Sequence, residues 1–203
     1  MIQMLAVLPL LAAWLVAVAS PGPDFLAVLR TSASHGRRAG LRVGCGVVCG
    51  IACWATLAMC GLSALLARYE HLYLVVRTFG ALLLIGYGVH ILWSTRKAAA
   101  EAVPEPPRAG KYWRLGVFTN LANPKALVFF GALFATLMPR HEGVAVRAGV
   151  LGVMLIMAMT WFAVVSWCAG SRPVVTAYRR VQRTIDRAAG GLFAAIGVAL
   201  IPR

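Results

Sequence analysis

Long uncharged runs alternate with short basic stretches along this chain. Residues 1–23, 43–67 and 148–171 hold no charged side chain. About 20 mainly apolar residues let a helix cross roughly 30 Å of hydrocarbon at ~1.5 Å per residue, so each run predicts a transmembrane helix. Two more spans are predicted at 78–95, extended back over 72–77, and at 115–139, which is apolar apart from Lys125. A sixth, 188–202, is short and requires Arg187 and Arg203 to snorkel from its ends or the bilayer to thin. The pattern predicts an all-α membrane protein of six transmembrane helices.

Composition sharpens this. Of 203 residues 61% are hydrophobic, with 20 Lys+Arg against 6 Asp+Glu and a net charge of +14. An ordinary soluble domain carries fewer apolar and more charged residues, and a disordered chain needs low hydrophobicity. A soluble nucleic-acid binder suits the charge but not a mean hydropathy of +0.79, so no nucleic-acid partner is expected. The first run has the outline of a signal peptide, with Ala17-Val18-Ala19 as a cleavage site. It lacks a positive n-region and more spans follow it, so it is read as a retained span.

Charge is distributed one-sidedly. The stretches after the first, third and fifth spans hold fourteen Lys and Arg, and those on the other side hold five. Cytoplasmic loops retain such residues, so both termini are expected on the outer face. The excess also suits attraction to anionic inner-leaflet lipid.

Residues 96–111, with an Ala run and Pro104, Pro106 and Pro107, read as a cytoplasmic linker between half-repeats at about 1–95 and 112–203 of one membrane domain. Three spans per half require related halves to lie inverted, as two inverted three-helix repeats. One feature corresponds between them: Pro23-Asp24 and Pro124-Lys125 are 101 residues apart, each a proline-interrupted opening span followed by a charge.

Those interruptions are the candidate site. Pro21, Gly22 and Pro23 break an apolar run that continues to Leu29, and Pro124 does the same in the fourth span. In lipid, broken helices survive where protein or a wet cavity satisfies the freed carbonyls. Asp24 adjoins a span interior and could bind an ammonium group or a proton in alternation. Lys125 lies about ten residues, roughly 15 Å, beyond Arg114, where an ionised Lys costs about 2.5–3.5 kcal/mol, so an unpaired one without a role is not expected. Asn120 and Asn123 could supply carbonyl acceptors to Lys125 or hydrogen bonds to a substrate carboxylate. The expectation is that Asp24 and Lys125 face each other across the axis between halves, as an ion pair that an amino-acid zwitterion or a proton replaces. The plainer alternatives are that Asp24 starts the next helix at the surface and that Lys125 snorkels inward.

Cys45, Cys49 and Cys53 share one face of the second span, with Cys60 and Cys168 elsewhere. They define an alternative function, a transmembrane thiol-redox relay or soft-metal exporter. The interleaved Gly46-x-x-x-Gly50 argues instead for close helix packing, and no metal site is expected. No phosphate loop, paired carboxylates or nucleophile–base pair appears, which leaves an ATP-driven pump or membrane hydrolase without support and calls for no cofactor.

Several segments in order resemble the lysine-exporter and homoserine-threonine-exporter family, of LysE/RhtB type, over nearly the whole chain. They are Ser20-Pro21-Gly22-Pro23-Asp24; Ser34-His35-Gly36-Arg37-Arg38-Ala39-Gly40; Gly46-x-x-x-Gly50 with Gly61-Leu62; Arg77-x-x-Gly80-Ala81; Thr119-Asn120-Leu121-Ala122-Asn123-Pro124-Lys125 followed by Phe129-Phe130; and Asp186-Arg187-x-x-Gly190. The resemblance implies a bacterial inner-membrane secondary exporter, not an enzyme, that moves small amino acids or their derivatives by proton antiport with alternating access. It leaves room for a homo-oligomer. Leu83 stands where the family often has Tyr, and Ala135-Thr136-Leu137 where it has Pro-Gln-Phe, departures that bear on the choice of substrate.

Overall fold

The computed structural model describes residues 2–68, 70–94, 111–130, 144–169 and 172–201, and these form helices without strands. The helices are α1 (Ile2–Ala19), α2 (Pro23–His35), α3 (Arg37–Arg68), α4 (Glu70–Ser94), α5 (Tyr112–Leu121), α6 (Pro124–Val128), α7 (Val144–Cys168) and α8 (Arg172–Leu200). The linker up to residue 110 lies outside the described residues, as does the end of the fourth span from residue 131, including Ala135-Thr136-Leu137.

Prolines divide the first run. The last regular bond of α1 is from the Ser20 amide to the Val16 carbonyl (2.9 Å), after which Pro21 and Pro23 offer no donor. The chain restarts as α2 with Pro23 in its first turn, bent by 47° from α1. The stretch after the first span, expected as a loop, is therefore largely helix, and the turn into α3 is made at Gly36. Its φ of 84° lies in the left-handed region that favours glycine. The basic stretch expected as a loop after the fifth span also belongs to a helix, the first half of α8. Arg, Val, Ala and Gln are compatible with helix, and the proline here, Pro173, stands at the start where no partner is lost.

Arg37–Ala58 and Ala145–Cys168 are long and apolar enough to cross a membrane, the bent α1–α2 pair makes a third such span, and Thr78–Trp93 is a shorter apolar helix. The molecule is an all-α membrane protein.

Close approach of helices holds the bundle together. A Cβ added at Gly46 would collide with the Trp113 carbonyl, and one at Gly116 with the Val43 carbonyl, so α3 and α5 touch backbone to backbone. Gly88 and Gly190 do the same where α4 lies along α8. Trp14 of α1 donates its indole N–H to the Met154 carbonyl of α7 (2.9 Å), and the Arg37 guanidinium sits 4.5 Å from the Trp167 ring at the far end of α7. Tyr112 at the start of α5 is buried, with its ring 5.6 Å from that of His35.

Candidate functional site

Both helix breaks open onto one cavity of about 40 Å³, room for a few ordered waters. Asp24, Asn120, Asn123, Lys125 and Gly22 all line it. Trp14, Phe129 and Phe130 close one side, with Trp14 5.0 Å from Phe129 and 5.6 Å from Phe130 between ring centroids.

The first break supplies an acid. Gly22 caps α2 without a side-chain hydrogen bond, Pro23 follows, and Asp24 stands in the first turn, where backbone amides favour a negative charge. Its Oδ2 accepts two hydrogen bonds, from the Asn120 amide (2.8 Å) and the Asn123 amide (2.9 Å). Oδ1 is buried and has no hydrogen-bond partner among the described residues. One oxygen of the carboxylate is thus fixed by protein and the other is available to a donor.

The second break supplies the base. Asn123 caps α6, its Oδ1 accepting the Lys125 backbone N–H (3.0 Å), with Pro124 between them. The Lys125 ammonium reaches back to the first break and donates to the Ser20 carbonyl (2.7 Å). It also acts electrostatically on Asp24. A helix break in lipid leaves carbonyls needing donors, and here a lysine meets one of them.

The structure thus brings all four predicted charged and amide residues together at the predicted proline breaks. Their partners differ from the sequence reading in two respects: the Lys125 ammonium hydrogen-bonds the Ser20 carbonyl while acting on Asp24 electrostatically, and the asparagines present donors to the acid. The asparagine side chains direct their N–H groups at Asp24, and only Asn123 offers an oxygen towards Lys125, to its backbone N–H.

Three participants were missed. Ser20 was visible beside the prolines, but its carbonyl gives no sequence signal. Gly50 was read as packing alone, yet a Cβ there would lie 2.7 Å from Asn120 Oδ1, so its missing side chain makes room for that amide. Trp54, whose indole N–H donates to the Asn120 carbonyl (3.4 Å), had no signal at all.

Cys45, Cys49 and Cys53 are exposed and absent from the cavity lining. Among the described residues no group of three His, Cys, Asp or Glu could hold a metal ion. The Cys60 side chain lies outside the described residues.

The chain matches the LysE type translocator family over residues 15–203. It belongs to that family. As a LysE type translocator it is a membrane transporter and not an enzyme. It is 31% identical to the threonine efflux protein of Escherichia coli K12 over 191 residues, 92% of this chain and 93% of the relative. It is 32% identical over the same shares to the threonine efflux protein of Salmonella typhi, and 25% identical to an uncharacterized membrane protein of E. coli K12 over 90% of this chain and 82% of the relative. No solved structure matches this translocator.

Proposed function

We propose that this translocator exports small amino acids or close derivatives from the bacterial cytoplasm, with threonine the first substrate to test. One observation carries the reading: an acid from one broken helix and a base from another line the same cavity among apolar helices. A zwitterion carries the two complementary charges. In this mechanism the substrate ammonium takes the unpartnered Asp24 Oδ1, and its carboxylate draws the Lys125 ammonium away from the Ser20 carbonyl. When the substrate leaves, a proton on Asp24 stands in for the ammonium, which makes the cycle an antiport. The names of the relatives support threonine.

Six spans arranged as inverted three-helix halves complete the proposal. Their support is the cap, proline and charge that recur at both breaks 101 residues apart, and matching contacts: α1 with α7 of the other half, α5 with α3. Alternating access would open the cavity to each side in turn, with both termini outward as the distribution of Lys and Arg suggests.

Purified protein in liposomes loaded with labelled threonine, alongside a panel of other amino acids, tests the reading. Efflux should accelerate when a pH gradient is imposed and slow when a protonophore collapses it. Efflux of every panel member at the rate of protein-free vesicles would overturn amino-acid export, and export indifferent to the gradient would overturn antiport.

A further inference from the structure

We propose that Asp186 is a positioning residue of this site, acting through Ser20 to hold the Lys125 ammonium in place. Asp186 is one of only six acidic residues in the chain and lies, half-buried, midway along α8. Its Oδ1 accepts a hydrogen bond from the Ser20 hydroxyl (3.3 Å). That contact brings α8, which packs mainly on α4, to the first helix break.

Ser20 is bonded through every polar group it has. Its N–H donates to Val16 (2.9 Å), its hydroxyl to Asp186 (3.3 Å), and its carbonyl accepts from Lys125 (2.7 Å). The residue stands where the helical ladder stops, so neighbouring turns no longer fix its carbonyl. Anchoring the side chain as well as the amide keeps that carbonyl directed at the ammonium. A carboxylate suits this task, because hydrogen bonds to a charged acceptor are stronger than neutral ones. The α4–α8 pair is thereby linked to whether Lys125 is held by the protein or drawn to cargo. Asp186 need not touch the cargo. The proposal takes the cavity as the translocation site, as above, but its test is independent of transport.

The chain has three lysines, Lys97, Lys111 and Lys125, so acetylation of the purified protein can be read peptide by peptide by mass spectrometry, with exposed Lys111 as the internal reference. In the wild type Lys125 should react slowly. Asp186→Ala and Ser20→Ala should each raise the Lys125 rate relative to Lys111 by about tenfold, the size of one hydrogen bond to a charged group. The double variant should rise no further, because both changes cut the same link. Asp186→Asn, which keeps an acceptor oxygen, should fall between. In vesicles Asp186→Ala should raise the apparent KM for threonine more than it lowers the maximal rate. An unchanged Lys125 ratio in Ser20→Ala or Asp186→Ala, or effects that multiply in the double variant, would overturn the proposal. Should Asp186→Ala not accumulate, Ser20→Ala and Asp186→Asn carry the same test. A raised ratio in a protein that exports no amino acid would leave this link standing and remove the export reading, whereas export with an unchanged ratio would do the reverse.

Discussion

The two helix breaks share a three-residue plan of cap, proline and charge, but only one of them completes itself. At the second, the Asn123 side chain caps the backbone of Lys125. At the first, Gly22 has no side chain to offer, and the neighbouring groups find partners across the molecule: the Ser20 carbonyl on Lys125, and Asp24 on two asparagine amides. A broken helix in lipid is tolerated when something meets its polar groups, and here the second break meets those of the first. The charges follow the same division. The acid sits at a helix start, where amides favour it, while the base turns away from its own helix to a carbonyl elsewhere.

Asp24→Asn strikes the dependence hardest. It removes the charge that the first break contributes while keeping the shape, and export should fall by at least about 100-fold, within the range for removing one partner of a buried charge pair. Wild-type export under a pH gradient would show that the acid is dispensable. Gly50→Ala attacks from the second break. Its Cβ would lie 2.7 Å from Asn120 Oδ1 and 2.9 Å from Asn120 Cβ, so the amide must turn or α3 and α5 must part. Overpacking of this kind costs about 1–3 kcal/mol, and a lower melting temperature with export down about tenfold is expected. Gly22→Ala should do least. The φ of Gly22 is −176°, extended backbone open to any residue, and an added Cβ would meet Lys125 at an ordinary 3.7 Å. Export within about twofold of wild type is expected, and a large loss would show that the first break needs flexibility rather than partners.

Particular residues show why some of this was legible in the sequence. Prolines inside apolar runs announce breaks, and a lone Asp and Lys beside them announce charges that lipid does not tolerate idly, so Pro21, Pro23, Asp24, Pro124 and Lys125 could be singled out. The direction of the asparagine amides could not be, because each carries both donors and an acceptor and only its neighbours select between them. Asp186 passed as part of a motif, since its approach to Ser20 spans 166 residues of sequence that no local pattern encodes. The basic stretches after the first and fifth spans were misread as loops because charge reports which side of the membrane a segment prefers, not whether it is helical.

The backbone contact between α3 and α5 has a consequence for biosynthesis. Gly46 leaves the ribosome 70 residues ahead of Gly116, the surface that fills its notch. Chains are made from the N-terminus, so α3 is complete before the surface that packs against it exists. Until Gly116 is made, the notch at Gly46 lacks the backbone that fills it.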